Sequence, residues 1–276
     1  GGWTHAKETA PSARGKASSS RRAGRTFINR LQGAGWAIFA RDLTMLFRQP
    51  VMWYGVLVSI VASAFFVFNI SGAGNPALIR DMVVVIFTMM AAVSTGQFAG
   101  LAISLDGEGL WLMKSAPISP STYYLAKLAF ATAPGVAVLA VLFVGVSFVE
   151  SVPQHPLYVS IPVGLAVLSV LSALSVMSDA IKPNFNVRLS STGNQKQKDP
   201  GKAMLVTFGS QIGTVALGAL FAFPTYYSRL PWFSGWTPAT ARTVSLGLLA
   251  LAVLILHTIA AQVSIRRIRL MFSGRV

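Results

Sequence analysis

Six apolar stretches, each close to the length of a membrane-crossing helix, constrain this chain more than any other feature. A helix needs about 20 apolar residues to cross the hydrocarbon core of a bilayer. The stretches that meet or approach this length are 51–70, 82–104, 125–149, 157–177, 204–223 and 244–263. We therefore predict an all-α, polytopic membrane protein with six transmembrane helices.

The composition agrees with a membrane protein. Hydrophobic residues make up 53% of the 276 residues, and charged residues make up 11%, whereas a soluble domain carries about 25% charged residues. There is no cysteine, and the three histidines are far apart, so the sequence predicts neither disulfides nor a metal site.

The lysines and arginines are distributed unevenly between the loops. Of the 23 basic residues, 20 lie before the first stretch, after the second, after the fourth and in the tail, and the alternate loops hold only Arg80, Arg229 and Arg242. Because basic loops stay on the cytoplasmic side, we predict cytoplasmic termini and a multi-pass location in the cell (inner or plasma) membrane. Topology and attraction to anionic membrane lipid explain the net charge of +15, and no nucleic-acid partner is expected.

The chain ahead of the first stretch divides into two parts. Residues 1–24 are small, polar and basic, which predicts a flexible cytoplasmic linker before the membrane domain of residues 51–276. Residues 25–50 predict an amphipathic interfacial helix, or alternatively an extension of the first transmembrane helix. The side chains that define its two faces are Trp36, Phe39, Leu43 and Phe47 on the apolar side and Arg41 on the other.

The loop after the second stretch, DGEGLWLMKSAPISPSTYYLAK (106–127), is polar, aromatic and broken by prolines. The acids Asp106 and Glu108 mark the point where the chain leaves the membrane, because carboxylates are costly in the bilayer. The apolar run that follows needs a cover of lipid or protein. Ser119 followed by Pro120 predicts the start of the next helix.

This loop resembles the coupling segment of ABC-2 type ABC-transporter permeases, the bacterial exporter permeases. The chain then resembles a membrane-spanning permease subunit of an ATP-driven exporter, or the C-terminal half of a twelve-span permease. The resemblance implies that the loop couples to a separate ATP-binding subunit. The corresponding residues are Glu108, Gly109, Leu110, Trp111, Leu112, Met113, Pro117 and Ser119, followed by the pair Ala126 and Lys127.

The same resemblance implies binding partners for the chain and a translocation path through it. The partners are an ABC ATP-binding subunit, membrane lipid, and either a second permease half or a second copy of the chain. Gln97 and Gln211, in the second and fifth stretches, are the candidates for the translocation path. This chain is expected to bind no cofactor itself, with ATP and magnesium held by the partner subunit.

The residues also exclude some chemistry. No G-x-x-x-x-G-K-[ST] phosphate-binding loop occurs, so we expect no ATP hydrolysis by this chain alone and assign no catalytic or metal-binding residue. Two alternatives stay open: an intramembrane enzyme acting on lipid or peptide, with His257 and Ser210, and a non-catalytic membrane scaffold. The aromatic loop near 226–236 predicts either interfacial anchoring or re-entrant helices.

Overall fold

The computed structural model describes residues 33–48, 50–70, 76–115, 118–147, 157–185, 209, 212–213, 216–218 and 235–274. Within these ranges every regular element is a helix, which confirms the all-α prediction for the described part of the chain. A 3₁₀-helix covers Ser104–Gly109. The α-helices are α1 (Ala34–Phe47), α2 (Pro50–Ile70), α3 (Pro76–Ala99), α4 (Leu110–Ser115), α5 (Pro120–Val146), α6 (Leu157–Ile181) and α7 (Pro238–Phe272).

Proline marks the start of four of these helices, namely α2, α3, α5 and α7. Proline suits the first helical position because its fixed φ fits the helix and its missing N–H would have had no intrahelical partner there. The hydroxyl of Ser119 caps α5 by accepting a hydrogen bond from the Thr122 N–H, as the Ser-Pro pair predicted. Thr237 caps α7 in the same way.

The helices form a bundle whose direction is fixed by its apolar clusters. One cluster contains Phe98 at the end of α3, Tyr123 at the start of α5, and Ala180 and Ile268 at the ends of α6 and α7. Helices α3, α6 and α7 therefore run toward this end of the bundle, and α5 runs away from it. We call it the junction end.

The remaining apolar clusters hold the rest of the bundle together. Val83 and Phe87 of α3 pack against Val138 and Phe143 of α5, with α2 beside them. Val167 of α6 belongs to a third cluster with α7. Helix α1 lies on α5 and buries Ile38, Asp42 and Leu46 on one face.

Three helical segments are long and apolar enough to cross a membrane: Pro120–Gly145, Ile161–Ile181 and Ala239–Phe272. They contain most of the third, fourth and sixth predicted stretches. The first two predicted stretches correspond to α2 and α3, which contain the shorter apolar segments Val56–Phe65 and Val85–Gly96. Most of the fifth, 204–223, lies outside the described residues, as do the linker 1–24 and most of the aromatic loop.

Small residues allow the helices to approach closely. A Cβ atom added to Gly135 of α5 would lie 2.1 Å from the Thr95 Oγ1 of α3 and 2.7 Å from the Leu168 Cδ1 of α6. The glycine therefore stands where three helices meet, and no larger residue fits without displacing both neighbours. Gly145, on the same helix, has open space at its Cβ position.

These two glycines give a matched test of the packing. We expect Gly135→Ala to destabilise the protein by about 1–3 kcal/mol, because it overpacks a closed contact. We expect Gly145→Ala to be neutral or slightly stabilising, because alanine favours the helix. Unfolding of the detergent-solubilised variants, followed by circular dichroism, measures both. Equal effects at the two positions would contradict the packing described here.

Candidate functional site: a buried charge cluster at the junction end

Lys127 of α5 is a fully buried lysine, with 0% of its side chain exposed. Its ammonium donates hydrogen bonds to Asp42 Oδ2 of α1 at 2.7 Å and to Asp106 Oδ1 of the 3₁₀-helix at 2.8 Å. The two carboxylates are 5% and 1% exposed. A buried charge is tolerated only when it is paired and hydrogen-bonded, and each of these three side chains meets that condition.

Arg41 closes the cluster from its outer side. Its Nε donates to Asp42 Oδ1 at 2.9 Å, and its Nη2 donates to the same oxygen at 2.6 Å. Nη2 also donates to Asp106 Oδ1. Two cations thus face two carboxylates, and the group is formally neutral.

The electrostatics of Arg41 follow from these contacts. Partial burial disfavours its charged form, but the Asp106 and Asp42 carboxylates outweigh that effect and raise the pKa of Arg41 above its ordinary value. The guanidinium therefore stays positively charged, and together with Lys127 it compensates the negative charges of Asp42 and Asp106.

Tyr123 completes the cluster. Its hydroxyl donates to Asp106 Oδ2, and its ring lies 5.4 Å from the Lys127 ammonium. Tyr123 and Lys127 are four residues apart and therefore share one face of α5. The Tyr123 ring also packs edge-on against Phe272, with 5.5 Å between the centroids, which brings the end of α7 to the cluster.

Asp179, near the end of α6, organises the segment that carries Asp106. Its Oδ2 accepts hydrogen bonds from the backbone N–H groups of Ile103 and Ser104, both at 2.8 Å, and its Oδ1 accepts one from the Ser104 hydroxyl. The carboxylate thus binds N–H groups at the start of the 3₁₀-helix, where a negative charge is favourable. It ties α6 to the segment that follows α3.

The turn after Asp106 requires glycine. Gly107 has a φ of 47°, and a Cβ there would lie 3.4 Å from the Phe185 carbonyl oxygen. Residues with a side chain rarely adopt this conformation. Gly107 lets the chain reverse beside the cluster and continue into α4.

The residues predicted to couple to an ATP-binding subunit lie along this turn. Gly109 ends the 3₁₀-helix, Leu110 is buried at the start of α4, and Ser119 caps α5. Glu108, Trp111, Leu112 and Met113 belong to the described helices, but their side chains are outside the described part. Pro117 and Gln211 lie outside the described residues, and Gln97 is described only as a backbone position of α3. Their predicted roles stay predictions.

The interfacial-helix residues have clear positions. Trp36 and Phe47 are 52% and 60% exposed, and Phe39 and Leu43 are half-buried. The face that packs on the bundle is instead the row of Ile38, Asp42 and Leu46. Trp36 and Phe47 of the predicted apolar face are thus exposed, whereas Phe39 packs against the junction-end cluster and Arg41 bonds to the charge cluster.

The cluster itself is what the sequence analysis missed. The sequence pattern predicts Asp106 only as a marker of the membrane exit, yet this residue is buried and bound by three side chains. The pattern assigns no role to Asp42 or Asp179. The signal that could have found them was their rarity: the chain has only eight acidic residues, so an acid within an apolar helical pattern indicates a buried partner.

This arrangement is an α-helical bundle with a neutralised charge cluster at one end, and three of its helical segments are long and apolar enough to cross a membrane. The model of one protein family matches residues 1–271, and the chain belongs to that family, which is described as "Putative ATP-binding cassette". No curated protein matches the chain significantly.

The family match corrects the interpretation drawn from the loop. It names an ATP-binding cassette rather than an ABC-2 permease, so the identification as an ABC-2 type permease is wrong. The function taken from it, a permease subunit of an exporter, is wrong for the same reason, and the match gives no support to the enzyme and scaffold alternatives. The resemblance rested on one short loop and on the layout of six predicted spans behind an amphipathic helix, whereas the family match is to residues 1–271.

The starts of α5 and α7 do not form the phosphate site that the family description implies. A phosphate site uses free backbone N–H groups at a helix N-terminus, with a lysine close by. In α5 and α7, the Thr122 and Thr240 N–H groups are already bound by the Ser119 and Thr237 side chains. Lys127 is committed to two carboxylates. Among the described residues, no group of three or more His, Cys, Asp or Glu side chains could hold a metal ion.

Removal of the central lysine tests the cluster. We expect Lys127→Met to destabilise the protein by about 3–5 kcal/mol, because it leaves two buried carboxylates with too little positive charge. Lys114→Met, at an exposed lysine of α4, is the control and should change stability by less than about 0.5 kcal/mol. Denaturant unfolding in detergent measures both.

A second substitution, added to the first, tests whether the loss of stability comes from uncompensated charge. Adding Asp106→Asn to Lys127→Met removes one of the uncompensated charges, so the double variant should be less destabilised than the sum of the two single variants. Strict additivity would show that the two side chains do not interact.

Proposed function

We propose that this chain is a membrane-embedded, helical component of an ATP-binding cassette system. The family match supplies the link to such systems. The observation that carries the membrane placement is the apolar surface of the bundle. Phe65 of α2 is 66% exposed, Val144 of α5 is 61% exposed, and Leu254 of α7 is 64% exposed. Apolar faces of this extent on several helices require a cover, and lipid provides one along their whole length.

Six crossings are the finer part of this proposal. Helices α6 and α7 both run toward the junction end, so a return crossing between them is required. Support comes from described residues between these helices: Gly213 lies beside Leu171 of α6, and Gly218 lies beside Val85 of α3, farther from the junction end. The chain therefore moves away from the junction end over these positions, as a fifth crossing would.

The basic residues support an orientation. Arg48, Lys114, Lys182 and the arginines at 266, 267 and 269 all belong to elements at the junction end. Arg80 and Arg242 lie near the opposite ends of α3 and α7. Since basic segments are retained in the cytoplasm, the junction end is proposed to face the cytoplasm, with both termini on that side of the cell membrane.

The charge cluster suggests what the junction end does. It fastens α1, the 3₁₀-helix and α5 together through side chains that are almost fully buried. We propose that this rigid end is the platform on which another component of the system docks, through the segment Glu108 to Ser119 that leaves the cluster.

Nucleotide and magnesium are proposed to bind to another component. The chain lacks the phosphate-binding loop, and the starts of α5 and α7 are capped by the Ser119 and Thr237 side chains. The family description favours a second candidate, in which this chain itself binds ATP. Such a site would need residues other than those described.

Cysteine labelling tests the orientation, because the chain has no cysteine of its own. We expect Lys114→Cys and Ser273→Cys to react with a membrane-impermeant maleimide only after cells are permeabilised. Gly235→Cys, just before α7, should react in intact cells. All three positions are exposed in the structure. Reaction of the Lys114→Cys variant from outside, or of all three variants from one side, would overturn the proposed topology.

Nucleotide binding separates the two candidates. We expect the purified chain in detergent to show no saturable binding of a fluorescent ATP analogue with magnesium up to millimolar concentration. Equilibrium dialysis with labelled ATP checks the result without the fluorophore. Saturable binding that unlabelled ATP displaces would favour the second candidate and refute the first.

A further inference from the structure

Helix α7 presents two opposite faces. The buried face contains Leu249, Ala260, Ser264, Ile268 and Met271, which lie against the bundle. The exposed face is broad, and a row of seven residues runs along the part of it opposite the buried face. This row, which we call the α7 stripe, consists of Leu248, Leu251, Ile255, Ile259, Gln262, Arg266 and Arg269.

The stripe is one part of a wider exposed surface of α7, which also includes Val244 and Leu254. With about 100° of rotation per residue, its seven members fall within a sector of roughly 80°, opposite the buried face. Its four apolar side chains are 48–54% exposed. Arg267 is also exposed but points about 120° away from the centre of the stripe, so it belongs to a different face.

The chemistry along the stripe changes in a definite order. The apolar part, from Leu248 to Ile259, extends about 16 Å at 1.5 Å per residue. This length is close to one leaflet of a hydrocarbon core about 30 Å thick. Gln262 follows about one turn later, and the two arginines follow within two further turns. A phospholipid has the same order of acyl chain, ester and phosphate.

The polar groups match those parts of a lipid. The Gln262 amide offers a donor and an acceptor at the ester level. A guanidinium binds phosphate oxygens through paired N–H groups. Neither Arg266 nor Arg269 forms an ion pair within the described part of the chain.

We propose that the α7 stripe binds an anionic phospholipid from the leaflet at the junction end. Two arginines without an acidic neighbour in the stripe favour a headgroup with net negative charge over a zwitterionic one. A second copy of this chain fits less well, because a parallel two-fold contact along the stripe would bring four arginines together. The inference rests on the proposed membrane placement and adds a lipid class and a site.

Lipid contact can be measured at one position. Ile259→Cys, labelled with a fluorophore in an otherwise cysteine-free chain, reports the lipid on the stripe in nanodiscs. Leu254→Cys, about 140° around the helix from position 259 and 64% exposed, reports lipid away from the stripe. Nitroxide-labelled phosphatidylglycerol and phosphatidylcholine, at equal mole fraction, serve as quenchers.

We expect phosphatidylglycerol to be preferred at position 259 by roughly fivefold for each arginine, and little preference at position 254. Arg266→Gln combined with Arg269→Gln should reduce the ratio at 259 to near one. Arg267→Gln, which removes one positive charge at a similar depth, should leave most of the preference in place. High salt should weaken it, because it screens charged contacts.

The outcomes separate this inference from the proposed function. Equal quenching by both lipids at position 259 overturns the lipid site while the membrane placement stands. The same holds if Arg267→Gln lowers the lipid preference as much as the double variant of Arg266 and Arg269 does. If neither lipid quenches at position 259 while quenching at 254 is normal, protein covers the stripe. That result also overturns the lipid site. Failure at both positions refutes the membrane placement itself.

Discussion

The contact on which the rest of this structure depends is the pairing of Lys127 with Asp42 and Asp106. A buried lysine or carboxylate alone would be prohibitively costly, so none of the three positions is tolerated without the others. The three side chains come from α5, α1 and the 3₁₀-helix. Their mutual neutralisation fixes the position of these elements, and Arg41 balances the remaining negative charge from the outer side.

At the junction end, further contacts join α6 and α7 to this group of side chains. Asp179 binds the backbone at the start of the 3₁₀-helix, which joins α6 to the segment carrying Asp106. The ring of Tyr123 joins α5 to the end of α7 through Phe272. Contacts at the junction end thus link the segment after α3 to α1, α5 and α6, and α5 to α7. The opposite half of the bundle, by comparison, is held by apolar packing and close approaches at glycine.

The surface of the bundle complements this polar end. Exposed apolar side chains on α2, α5 and α7 suit a lipid environment, and the basic residues collect where lipid headgroups would lie. The family match places the chain among proteins described as ATP-binding cassettes, and the described residues of this chain form helices.

The sequence by itself determined the features that depend on neighbouring residues. The length of the apolar stretches gives the helical class, the Ser119-Pro120 pair gives the start of α5, and the uneven distribution of basic residues gives a polarity between the two ends. Only the tertiary structure decided which charges meet. Lys127 lies 85 residues from Asp42 and 21 from Asp106, and helical periodicity specifies the face of a residue but not its partner. Those partners follow from how α1 and the 3₁₀-helix pack on α5, because burial excludes the water that would otherwise solvate each charge.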